Sequence, residues 1–235
     1  MMNLRRSNER GQTKIGWLDS RHSFSFNRYF DPRHMGFQHL RVINEDWVKP
    51  DTGFGTHPHN DMEIVTFVLK GTLAHKDSTG GIGYIHAGEV QRMTAGTGIE
   101  HSEFNESQDA TVHLFQIWIV PERRGLEPGY EQRKFSAVDR ADNLLLVAAR
   151  DGRNNALTIH QDVDIYVSSL TEGKELSHRL CPTRHAWVQV ATGKLKVNGV
   201  ELQTGDGLAV SDLENLSFQA LENSEFMLFD LATMR

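Results

Sequence analysis

Cysteine is nearly missing from this chain. Cys181 is the only one in 235 residues, which excludes an intrachain disulfide and leaves His, Asp and Glu to hold any metal. Cys181 itself is expected to be a small buried hydrophobe, because no motif around it points to an activated thiolate. Long apolar runs are missing as well: none approaches the roughly 18 residues of a membrane span. The opening "MMNLRRSNER" has basic residues without the apolar stretch of a signal peptide, so a cytoplasmic protein outside the membrane is expected. A basic excess is also lacking. The net charge is −6, with Lys and Arg scattered, so no stripe exists for nucleic acid and direct nucleic-acid binding is not expected. What remains, 38% hydrophobic and 24% charged residues, is ordinary for a globular chain of one large or two small domains.

Few windows carry a 3.6-residue period, and "DRADNLLLVAA" is ambiguous between helix and strand. Short runs rich in β-branched and aromatic residues dominate instead: "MEIVTFVLK" (62–70), "IGYIHA" (82–87), "TVHLFQIWIV" (111–120), "HAWVQVA" (185–191) and "EFMLFDL" (225–231). Gly-rich corners such as "STGGIG" and "AGTG" separate them. The fold is therefore all-β.

A weak internal repeat accompanies these strands. "VLKGTLAHKD" followed by "HAGEVQRM" matches "VATGKLKVNG" followed by "QTGDGLAV", aligning Gly71 with Gly193 and Gly88 with Gly205. Two copies of one β-unit predict two stacked antiparallel β-barrels or jelly rolls, which hide their sheet edges by curling closed. The expected division is residues 1–130 and 131–235, with the charged stretch from Pro121 to Phe135 as the link.

Histidine is what this sequence has in quantity, with twelve. "GTHPHNDMEI" sets His57 and His59 two apart, and on an extended backbone both point to one side. "GTGIEHSEFN" sets His101 and Glu103 two apart, just beyond a Gly-rich corner. Either pair alone is weak evidence, but the two at opposite ends of one β-unit make four donors that converge with the same parity. Asp61 and Glu63 share the parity of His59, so spacing leaves them open as the carboxylate.

These segments carry a family resemblance. "GFGTHPHNDMEIVTFVLKGTLAHKDSTG", "AGEVQRMTAGTGIEHSEFN", "HLFQIWIVPE" and the earlier "FNRYFDPRHMGFQHLRVINED" resemble the pirins of the cupin superfamily, and look closest to bacterial pirins with quercetin 2,3-dioxygenase activity. The likeness is close in the N-terminal half and looser beyond it. It implies a bicupin fold and a mononuclear iron site on His57, His59, His101 and Glu103, with Glu63 or Asp61 as partners of a ligating imidazole. Three imidazoles and a carboxylate suit Fe(II) first, and also Mn, Co, Ni, Cu or Zn, and leave positions open for chemistry. The implied reaction is dioxygenation of a flavonol such as quercetin with loss of carbon monoxide, Glu103 accepting the substrate's hydroxyl proton. Dioxygen and a small aromatic substrate are then the partners. Eukaryotic pirins imply an alternative without turnover, an iron-dependent redox-sensing protein that binds a protein partner.

The second unit serves as a control. Carried across the repeat, His101 falls near Phe218, Glu103 near Ala220, and only His178 falls where His57 would. A metal-free C-terminal barrel is expected, with His160, His178 and His185 as hydrogen-bonded structural or surface residues. "HSFSFNRYF" alternates His22, Phe24, Phe26, Arg28 and Phe30 on one face, which predicts a strand packing on the core.

Overall fold

The computed structural model describes residues 1–234. The chain divides into two compact units: Gly11–Phe135 with Leu157–Gln161, and Met1–Arg10 with Ser136–Ala156 and the chain from Asp162 onward. This differs from a single cut after residue 130. Residues 121–135 are no linker, since Gly129–Lys134 forms a strand that pairs antiparallel with Glu89–Thr94.

Each unit is built from a large and a small antiparallel sheet. In the first unit the large sheet runs Gly129–Lys134, Glu89–Thr94, Glu63–Lys70, Val112–Ile119, Leu40–Val48, Leu18–His22, Gly11–Ile15. Its small sheet runs Thr52–His59, Ile99–Asn105, Thr72–Asp77, Ile82–His86. In the second unit the large sheet includes, in order, Met2–Arg5, Gly207–Val210, Arg184–Thr192, Ser224–Ala232, Val163–Leu170 and Leu145–Ala149. The small sheet there runs Glu175–Arg179, Asn215–Ala220, Lys194–Val197, Val200–Gln203. Six strands of the large sheet and all four of the small sheet correspond in order, as the repeat predicts. Gly71, Gly193, Gly88 and Gly205 all take φ near +83°, a backbone state that glycine reaches without strain and that turns the chain between the large and the small sheet at the same places in both copies.

The expected strands form within a residue or two of their predicted ends. Glu63–Lys70 is buried over its first six residues, which is why it reads as one apolar run. Ile99–Asn105 instead alternates, with Ile99, His101, Glu103 and Asn105 buried and Glu100 and Phe104 exposed. "DRADNLLLVAA" splits into the end of a single helical turn, Ala137–Arg140, capped by Ser136, and the strand Leu145–Ala149.

Two further expectations fail. The strand at His22 stops there, because the chain bends at Ser23 and turns through Asn27 at φ 51° with Phe26 bridging to Tyr29, so Phe30 is left 71% exposed. Cys181 is exposed, lying just past the end of Glu175–Arg179. Among the described residues no helix is long and apolar enough to cross a membrane.

Candidate metal centre

The small sheet of the first unit gathers the expected residues. Ile99–Asn105 lies between Thr52–His59 and Thr72–Asp77, pairing His101 with His57 and Ile99 with His59 on one side, and His101 with Asp77 and Glu103 with His75 on the other. A bulge interrupts the first pairing, where the step from His101 to Glu103 faces the longer step from His57 to Phe54. Bulges of this kind re-aim side chains beside sites. The carbonyl of Gly55, inside the bulge, accepts a hydrogen bond from Nδ1 of His57 at 2.7 Å, which leaves the other ring nitrogen of His57 as a lone pair.

His57, His59 and His101 each bring a ring nitrogen within 4.8 Å of the others. Their ring centroids lie 4.5 to 4.9 Å apart. Nε2 of His59 and Nε2 of His101 are buried without a hydrogen-bond partner, an arrangement that native proteins rarely leave unexplained. Burial, then the neighbouring His101 and His57, pushes His59 down to about 4 against the opposing pull of Glu103. Burial likewise lowers His101, again against Glu103. At neutral pH these rings carry lone pairs rather than charge, and converging lone pairs without a proton donor call for a cation. The residues present therefore fit a divalent transition metal by the chemistry of their donors.

Glu103 is 2% exposed and groups with His101 and His75 in a second trio whose donor atoms also lie within 4.8 Å of one another. Its Oε2 accepts from Nε2 of Gln116 at 2.8 Å, and its Oε1 accepts from Nε2 of Gln91 at 3.2 Å and Oγ1 of Thr66 at 3.5 Å. Gln91 also donates to Oγ1 of Thr66 at 3.0 Å. Sequence reasoning missed these three. Their signal is a polar residue at a core position of an apolar strand, in "IVTFV", "EVQRM" and "LFQIW".

Asp61 and Glu63 hold other parts of the unit. Glu63 is fully buried, and its Oε2 accepts from Oγ1 of Thr94 at 3.2 Å and from the backbone N–H and Nδ1 of His160 at 3.2 and 3.3 Å. Asp61, at φ 45°, accepts the backbone N–H of Gly125 at 2.8 Å. The imidazole beside Glu63 is thus His160 and not one of the clustered three. In the second unit, His178 pairs with Asp230 at 2.8 Å and His185 bonds Oγ of Ser211 at 2.8 Å.

A cavity of about 390 Å³ reaches His57, His59 and Glu103. Trp17, Phe26, Phe54 and Trp118 supply its flat apolar walls, while Ser20, His22, Asn44, Asp46 and Gln116 supply polar groups. Trp118 stands edge-on to His59 with centroids 4.9 Å apart, and Phe26 edge-on to Trp118 at 5.4 Å. His22 is pinned, with Nδ1 donating to Oδ1 of Asn44 at 2.7 Å and Nε2 accepting from Oγ1 of Thr13 at 2.8 Å. Burial pushes Asp46 up to about 7, helped by Glu103 and Glu45 and opposed by a hydrogen bond from Ser20. Apolar aromatic walls with a few fixed polar groups are the usual make-up of a small-molecule site.

Comparison with known proteins adds three findings. The pirin family model matches residues 3–119, and a model described as a quercetinase C-terminal cupin domain matches residues 146–231. The chain is 49% identical over 231 residues to a quercetin 2,3-dioxygenase of Escherichia coli K12, covering 98% of this chain and 99% of that protein. It is 38% identical over 223 residues to a pirin-like protein of Caulobacter vibrioides, covering 94% and 96%. Among solved structures, the bacterial pirin YhhW of Escherichia coli in complex with nickel(II) superposes with a TM-score of 0.95 at 47% identity, covering 99% of this chain and 100% of that one.

Proposed function

The chain belongs to the pirin family, and on that premise we propose that it is a metal-dependent oxygenase that cleaves a flavonol such as quercetin with dioxygen. The observation that carries this reading is the pair of buried, unpartnered Nε2 atoms of His59 and His101, beside His57 at an aromatic-walled cavity. A quercetin 2,3-dioxygenase name on a relative 49% identical supports the activity, and a nickel(II) complex of a bacterial pirin supports a divalent metal.

His57, His59, His101 and Glu103 hold one ion per chain, Fe(II) by the nature of its donors. When bound, the ion supplies a Lewis-acid centre that lowers the pKa of a hydroxyl placed on it. The protein does the rest by position. Trp17, Phe54, Phe26 and Trp118 hold the planar rings and keep water from them. Glu103 accepts the proton of the substrate's enol hydroxyl, and Gln116, Gln91 and Thr66 keep its carboxylate aimed while it does so. In the overall reaction both atoms of dioxygen enter the product and one ring carbon leaves as carbon monoxide, so no external reductant is consumed.

Oxygen uptake and carbon monoxide release with quercetin, compared between chelator-stripped protein and the same protein reloaded with Fe(II), test the reading. Equal amounts of uptake and release only after reloading are expected. A protein that holds one metal per chain yet consumes no oxygen across a panel of flavonols would instead be a regulatory, partner-binding pirin.

A further inference from the structure

His101 does not sit alone behind its free nitrogen. Its Nδ1 faces Nδ1 of His75 at 3.5 Å. His75 is 1% exposed, and its Nε2 lies 2.9 Å from Oδ2 of Asp77. The other oxygen of Asp77 accepts from the backbone N–H of Thr79 at 2.9 Å, Oγ1 of Thr79 at 2.6 Å and the backbone N–H of Gly81 at 3.1 Å. Tyr130 stacks on the His75 ring, with centroids 4.7 Å apart and planes at 27°, and its own hydroxyl is occupied by Oε1 of Gln132 at 2.7 Å. The chain of groups from Asp77 to His101 is therefore fixed at its Asp77 end and along its side.

One proton per ring can be placed along this chain in only one way that satisfies every contact. An ionised Asp77 has no proton to give, so His75 must donate from Nε2. That leaves Nδ1 of His75 as an acceptor. His101 must then donate from Nδ1, and its Nε2 is left as a lone pair, the same atom that is buried without a partner beside His57 and His59. We propose that Asp77 and His75 act as positioning residues that lock His101 into the Nδ1–H tautomer, so that Nε2 is presented to the metal with raised basicity. Carboxylate or carbonyl partners behind a ligating histidine commonly do this directly. Here the carboxylate acts through an intervening imidazole, and Gly55 fills the corresponding place behind His57. The inference rests on the metal-site reading above, and adds two residues that the four donors do not include. It also assigns the second trio of His75, His101 and Glu103 a single metal position, with His75 behind it rather than on it.

Long-range 15N–1H spectra of the metal-free full chain at pH 8, with His101 assigned through His101→Gln, read the tautomer without metal or turnover. An Nδ1–H His101 is expected, and an Nε2–H ring overturns the proposal. Asp77→Asn should turn the chain around, because an amide N–H can donate to Nε2 of His75 and force the proton of His101 onto Nε2. Co(II) affinity, measured by chelator competition, should then fall about 10 to 100-fold. His75→Leu should fall in the same range with the d–d spectrum of bound Co(II) unchanged in shape. His75→Gln, whose amide can accept from one neighbour and donate to the other, should recover part of that loss. A Co(II) spectrum that changes in His75→Leu makes His75 a ligand and overturns the relay, as does an affinity within about twofold of wild type in both Asp77→Asn and His75→Leu. His57→Ala separates the two readings. If it keeps Co(II), the metal site is wrong whatever the tautomer; if it loses Co(II) while Asp77→Asn and His75→Leu do not, only the relay is wrong.

Discussion

The two β-units share one strand order and differ in what fills it. Matched by their register within each unit, Thr66, Gln91 and Gln116 of the first correspond to Val188, Leu208 and Leu228 of the second. It places Glu103 at Phe218, and His101, paired with His57, at Leu216, paired with His178. His59 then corresponds to Leu180. This corrects the alignment made from sequence by two residues, since it had put His101 at Phe218 and Glu103 at Ala220. The six apolar counterparts are all fully buried in one hydrophobic cluster, and His178 is turned to Asp230 and Tyr166. The same frame thus carries either an oily core or a metal-binding interior. The exchange needs a handful of side chains and no change of topology, so the second unit shows what the first would be if stability were its only task.

The sharpest way to break the comparison is to make the first unit resemble the second. His101→Leu installs the residue found at the matching position, and metal content by elemental analysis should fall from one per chain to background. The far-UV spectrum should stay that of a β protein, because a leucine suits this frame. Metal retained at one per chain would show that the buried nitrogens are not donors.

Glu103→Gln comes next. It keeps the shape but removes charge and basicity, so flavonol turnover with excess Fe(II) should fall about 10² to 10⁴-fold, the usual contribution of a general base. Glu63→Gln should cost turnover less than about tenfold, below the usual effect of removing a group that orients a ligand, because its partners are Thr94 and His160. The reverse ranking would make Glu63 the working carboxylate.

Asp46 gives a smaller effect with a definite sign. Its carboxyl titrates at about 7 in the folded chain against an ordinary 3.8, so the folded state holds an extra proton between those values. Stability from this group is present below 3.8 and is lost as pH rises through 7. In chelator-treated protein, Asp46→Asn should therefore melt with wild type at pH 4 and roughly 5 °C or more above it at pH 8. An equal gap at both values would show that Asp46 is not buried as an acid.

His178→Ala should do least. Asp230 keeps Arg184 as its partner, so metal content and turnover should stay near wild type. A loss beyond about tenfold, worth about 1.4 kcal/mol, would bring the second unit into the site.

Much of this was legible in the sequence, and for physical reasons. Period-two runs marked the strands, and glycines forced to positive φ marked the repeat at Gly71 and Gly193. The parity of a strand put His57 with His59 and His101 with Glu103. What was hidden depends on partners distant in sequence. Nothing local says that Leu157–Gln161 returns to the first unit, that Phe26 leaves its strand to wall a cavity, or that His75 stands behind His101. Gln91 and Thr66 show locally only as polar residues in apolar strands, and their place beside Glu103 depends on pairing between strands distant in sequence.

The strand Met2–Arg5 belongs to the second unit, pairing Arg5 with Gly207 and Met2 with Val210. On a ribosome adding roughly 5 to 20 residues per second, those partners emerge about 10 to 40 s apart. Throughout that interval the metal-binding unit can close while the strand ahead of it stays unpaired, and Gly207–Val210, once made, is an open edge until that strand arrives. The order of synthesis is therefore the reverse of the order of completion for this strand. Early pairing between two nascent chains, rather than any weakness in either finished core, is the hazard that this topology builds in.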